Sequence, residues 1–101
     1  MKLTNEKEIS GWAYEQCLNG NDTKQMRMLI TNSYWAYLYC RDVKDKEEMW
    51  RKITDSNDAY CYCIDIKDRE EVWKNITDSK WAYLYCKHIK DRPEVRRYIK
   101  K

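Results

Sequence analysis

Trp12-Ala13-Tyr14 returns as Trp35-Ala36-Tyr37, as Asp58-Ala59-Tyr60 and as Trp81-Ala82-Tyr83, always at a step of 23 residues. Three other columns keep the step: Ser10, Ser33, Ser56, Ser79; Cys17, Cys40, Cys63, Cys86; and Ile30, Ile53, Ile76, Ile99. Four copies, residues 8–30, 31–53, 54–76 and 77–99, fill nearly the whole 101-residue chain. A fixed period of this length marks stacked supersecondary units, each unable to bury its apolar face alone. The expected fold is therefore one all-α domain, a solenoid-like stack of four helix-turn-helix repeats.

Each copy contains two helix signals. In the second copy Asn32-Ser33 offers N-cap oxygens, as do Asp55-Ser56 and Asp78-Ser79. A first helix, A, is predicted over 34–43, with Ala36, Tyr39, Cys40 and Val43 on one face and Trp35 and Tyr37 on opposite flanks. That pattern suits a helix wedged between two neighbours. A second helix, B, of about ten residues is predicted to open on Asp45, because Asp45-x-x-Glu48 has capping-box spacing. The same spacing recurs in Asp22-x-x-Gln25, Asp68-x-x-Glu71 and Asp91-x-x-Glu94. Met49, Trp50 and Ile53, then Val72, Trp73 and Ile76, give it an apolar stripe. The β-formers in Tyr37–Cys40 and Tyr60–Cys63 admit a local strand reading. Only two glycines and one proline, with cap signals so frequent, favour helix.

The unit Ile-Thr-Asp-Ser-x-Trp-Ala-Tyr-x-Tyr-Cys-x-x-Ile-Lys-Asp-Arg-x-Glu-Val, as it stands at 76–95, resembles short helical-pair repeats of unknown function found in bacterial and bacteriophage proteins. The resemblance is good over 31–99 and loose over 8–30, and Asn57-Asp58 departs from the aromatic it requires. It implies a helical-pair fold and brings no catalytic residues. It also implies a phage or mobile-element product, and by analogy a small protein that binds and inhibits a host defence complex such as a CRISPR effector.

Composition narrows the function classes. Charged residues make up 37% and mean hydropathy is −1.02, yet five Trp and nine Tyr stand at regular places. No apolar run approaches the roughly 18 residues of a membrane span. The charged stretch Met1–Ser10 lacks an apolar signal core, and the odd count of five cysteines fits reduced thiols, so the expected location is a cytosol, that of the host if phage-encoded. The cysteine column lacks the paired spacing of a zinc site. His88 takes the place of Asn19, Asp42 and Asp65, a column read as a solvated edge. Neither a metal, a cofactor nor an enzymatic activity is expected.

Two surfaces remain as candidates. On helix A, Tyr34, Leu38 and Arg41, then Asn57, Cys61 and Ile64, then Lys80, Leu84 and Lys87 fall away from the core stripe. Leu38, Cys61 and Leu84 in line, bordered by polar and basic groups, read as a strip for a host protein or ribonucleoprotein complex. Charge supplies the alternative. The net values are 0 for residues 1–30, +1 for 31–53, −3 for 54–76 and +5 for 77–101. Lys90, Arg92, Arg96 and Arg97 in the last stretch would meet phosphates, as in a nucleic-acid binder or competitor, or an acidic partner. A solubilising cap is the plainer reading of them, since Arg96 stands where Trp50 and Trp73 stand earlier, and the two roles are compatible. Oligomeric state is left open.

Overall fold

The computed structural model of the chain describes residues 5–100. Four long helices alternate with four short ones. The long ones are α1 (Glu6–Leu18), α3 (Ser33–Asp42), α5 (Ser56–Asp65) and α7 (Ser79–His88). The short ones are α2 (Lys24–Leu29), α4 (Glu47–Trp50), α6 (Glu70–Trp73) and α8 (Pro93–Arg96). Among the described residues there is no strand, and no helix is long and apolar enough to cross a membrane. Each long helix packs on the short helix that follows it and on the next long helix. The result measures 47 × 25 × 16 Å.

Helices α3, α5 and α7 start at the predicted Asn32-Ser33, Asp55-Ser56 and Asp78-Ser79, although Asp55 makes no side-chain cap bond. Asn32 accepts from Trp35 N–H and Asp78 from Trp81 N–H, each satisfying a donor that lacks a partner in the first turn. The observed start, one residue before the predicted Tyr34, puts the serine inside the helix and frees its hydroxyl for another task. Ser10 Oγ accepts from Thr31 and Asn32 N–H, Ser33 Oγ from Thr54 and Asp55 N–H, and Ser56 Oγ from Thr77 and Asp78 N–H, at 3.0–3.2 Å. The serine column therefore ties each long helix to the loop that opens the next. Helix α1 ends differently, at Gly20 with φ 104°. Gly20 N–H returns to Cys17 O and Asn21 N–H to Gln16 O, a closure that needs a residue free of a Cβ.

The predicted helix B is corrected. It is not about ten residues long: α2 has six residues and the other three have four each. Nor does its opening aspartate cap it. Thr23 caps α2, while Lys46, Arg69 and Arg92 precede α4, α6 and α8 without a side-chain cap. The carboxylates go instead to the following copy. Tyr39 Oη donates to Asp22 at 2.9 Å, Tyr62 Oη to Asp45 at 2.7 Å and Tyr85 Oη to Asp68 at 2.6 Å. Arg69 and Arg92 each complete a triangle, donating to both the tyrosine and the aspartate while stacking on Trp50 and Trp73 at 5.0 and 4.9 Å. In the first copy Arg27 pairs with Asp22 from within. A buried phenol needs a partner more than a short, solvated helix end does.

The core follows the repeat columns: Ala13, Ala36, Ala59 and Ala82; Tyr39, Tyr62 and Tyr85; Ile30, Ile53 and Ile76, all fully buried. Trp35 packs on Tyr14 of α1, and the Tyr37 hydroxyl donates to Asp65 of α5, so the two flanks of α3 do meet different neighbours. The Trp35 ring lies over Gly11, where an added Cβ would sit 2.9 Å from Cζ2.

Asp58 replaces that tryptophan in the third copy and is buried. Burial first, then the nearby Asp55 carboxylate, raises its pKa, against a lowering contact from Ser33. A raised carboxyl favours the fold below its unfolded pKa of about 3.9, and that contribution is lost as pH rises through the folded value. At neutral pH Asp58→Asn is therefore expected to melt higher than the wild type, with the gap closing toward about pH 4. Thermal melts of both proteins at two pH values check this; an unchanged gap would count against it.

Candidate functional site

The outer surface of the long helices is built from the positions one turn apart that avoid both core and neighbours. Tyr34, Arg41, Ile64, Lys80 and Lys87 are exposed there, Tyr34 and Ile64 at 46% and 47%. Their cations are held by local partners. Arg41 donates two bonds to Asp42, at 2.8 and 2.9 Å, and lies over the Tyr37 ring at 5.7 Å. Lys87 sits 5.7 Å from the Tyr83 centroid and Lys80 5.1 Å from that of Trp81. Arg41 holds the Asp42 carboxyl below its ordinary range, with the Tyr14 hydroxyl as second cause. The surface is thus aromatic and cationic, with cations preset over rings.

The apolar line expected along its middle is corrected. Leu38 is buried at 7% exposure, and Cys61 and Leu84 are half-buried. Leu38 stands one turn from both Trp35 and Asp42, the residues that face α1, so its flank is a valley between two long helices. Glu15, at the same position on α1 with no long helix before it, is exposed. A wheel drawn for a lone helix misses this, because the neighbour's position is not in the wheel.

The basic end also divides. Arg92 is committed to Asp68, Tyr85 and Trp73, and Arg96 pairs with Asp91 at 3.0 Å. Arg97 stacks on Tyr98, Lys90 is exposed, and no carboxylate among the described residues pairs with Lys80, Lys87, Lys90 or Arg97. Beside them, Glu70, Trp73, Lys74, Glu94, Arg97 and Tyr98 line an open cleft of about 370 Å³ between α6 and α8.

The thiols of the chain all titrate above their ordinary range. Burial pushes Cys40 and Cys63 up to about 12 and Cys17 to about 11, and raises Cys61 and Cys86 as well. A thiol so shifted carries little thiolate at neutral pH. His88 is exposed, and among the described residues no three His, Cys, Asp or Glu groups are placed to share a metal. Cys86, unlike Cys17, Cys40 and Cys63 of its column, is half-buried at the last long helix. Under native conditions Cys61 and Cys86 are therefore expected to react with a maleimide before Cys17, Cys40 and Cys63, and mass mapping of partially labelled protein checks the order. Equal labelling of all five would refute the packing of the column.

Sequence reasoning missed the tyrosine–aspartate–arginine triangles. A signal was present: Asp and Tyr recur together 17 residues apart three times (22/39, 45/62, 68/85). No protein family, curated protein or solved structure matches this chain.

Proposed function

We propose that the chain is a non-enzymatic interaction module, a solenoid-like stack of four helical pairs acting in the cytosol, which binds a protein or ribonucleoprotein partner through the outer face of its long helices. The observation that supports this reading is the joint exposure of Tyr34 and Ile64 and of Arg41, Lys80 and Lys87 along the long helices. Aromatic and arginine side chains already held in place lose little freedom on binding, which is why such groups dominate interface energetics. The occupied carboxylates and high-pKa thiols of the interior are structural in this reading. A defence complex such as a CRISPR effector is the partner class added by the sequence resemblance to phage repeats.

The test is capture from host lysate on immobilised protein, with Ile64→Glu and Tyr34→Glu as variants of unchanged helicity. A buried glutamate in the complex costs desolvation that the free protein, wet at both positions, does not incur. Loss of a specific protein band with either variant supports the reading. Capture indifferent to both overturns it. The unpaired Lys80, Lys87, Lys90 and Arg97 favour a second reading, nucleic-acid binding; capture that disappears on nuclease treatment and falls steeply with salt would select it.

A further inference from the structure

The two outermost long helices, α1 and α7, carry opposite halves of the chain's own internal junction. Inside, Tyr14 meets Trp35 with centroids 5.3 Å apart, and Tyr60 meets Trp81 at 5.5 Å, the interplanar angles being 39° and 41°. The tyrosine always belongs to the earlier long helix and the tryptophan to the later one. On α7 the tyrosine column ends at Tyr83, 49% exposed, and on α1 the tryptophan column begins at Trp12, 39% exposed.

The polar contacts divide the same way. Each later long helix carries a tyrosine that reaches back to an aspartate, and Tyr14 and Tyr37 reach forward to Asp42 and Asp65. At the corresponding places α1 carries Gln16 and Asn19, on one stripe with Trp12. Gln16 has an amide N–H for Asp91, the last aspartate of its column, and Asn19 a carbonyl for the Tyr83 hydroxyl. Charge agrees: α1 holds three glutamates and one lysine, whereas residues 77–101 carry +5.

We propose that the protein associates head to tail with a second copy of itself, the α7–α8 end of one protomer docking on α1 of the next by the contacts used between its own helices. Such an interface is heterologous, so each product retains one free end of each kind and growth continues past the dimer. Attraction between the acidic α1 and the basic end weakens as salt screens it. Lys87 of the outer face does border Tyr83 at 5.7 Å, but the proposed function is tested at Tyr34 and Ile64 on α3 and α5, so failure here leaves it untouched.

Sedimentation velocity from about micromolar to about millimolar protein tests it. The expected result is a mean mass that rises above 12.5 kDa with concentration, does not stop at two copies, and falls at high salt. Trp12→Lys and Tyr83→Lys should each be monomeric alone, and their equimolar mixture should form a heterodimer and nothing larger, because only one intact junction is available. A wild type monomeric throughout, association that survives either substitution, or a mixture that stays monomeric overturns the proposal. If either variant loses its helical circular dichroism, Asn19→Arg and Asp91→Lys, both at exposed positions, give the same mixing test.

Discussion

Tyr62→Ala is expected to cost about 3–5 kcal/mol, a large share of the roughly 5–15 kcal/mol that keeps a domain of this size folded. The ring is fully buried between the second and third copies. Its hydroxyl donates to Asp45 at 2.7 Å and accepts from Arg69 Nε at 2.6 Å. Truncation removes the apolar ring and leaves a cavity against two charged groups. Tyr62→Phe separates the contributions. It keeps the ring and the Arg69–Asp45 ion pair at 3.0 Å, so only the phenol bonds to these charged groups are lost, for about 1.5–3 kcal/mol. Urea unfolding checks both: the midpoint should fall more for alanine than for phenylalanine, at a slope unchanged by the phenylalanine variant. An alanine variant within about 1 kcal/mol of the wild type would show that this junction does not hold the copies together.

That junction marks where sequence reading stopped. The long helices, their caps at Asn32 and Asp78, and the alanine, tyrosine and isoleucine core columns were legible because each is set by local capping or by helical period, properties carried in a window of a few residues. Asp45 was misread for the same reason. Its spacing to Glu48 satisfies a capping box, yet the carboxylate goes to Tyr62, 17 residues on. The choice between the two is made by burial of the phenol, which no local window contains. Leu38 repeats the lesson on the outer face: its wheel position points outward from an isolated helix, yet the side chain is buried in the assembled stack. Tyr34, Arg41, Ile64, Lys80 and Lys87 survive as exposed members of the predicted strip. Trp12 and Tyr83 were legible as repeat residues but not as exposed ones, since exposure there follows from standing at the two ends of a series.

Raising the pH should collapse the fold over a narrow alkaline interval, the other large effect. Burial first and the paired carboxylates Asp42 and Asp65 second push Tyr14 and Tyr37 up to about 12. The same two causes, with Asp22, Asp45 and Asp68 as the carboxylates, raise Tyr39, Tyr62 and Tyr85. The sign follows from linkage. An unfolded phenol titrates near 10, roughly, so a folded value above it means that the folded chain binds protons more tightly. The stabilisation is fully present below about pH 10 and is lost as pH rises through about 12. Ionising one of these phenols in place would turn its hydrogen-bond donor into an anion facing a carboxylate. Arg69 and Arg92 moderate that repulsion at Tyr62 and Tyr85, and Arg41 does so at Tyr14 and Tyr37, where burial and the paired carboxylate outweigh it. Unfolding is therefore expected to precede their ionisation, so that helical circular dichroism and the buried share of phenolate absorbance change together. Tyr14→Phe with Tyr37→Phe removes two of the linked groups and should move the transition to higher pH, at a small loss of stability at neutral pH. Full phenolate formation in a chain that keeps its helicity would mean that these hydroxyls reach water, and that the tyrosine–aspartate contacts between successive copies do not close in solution.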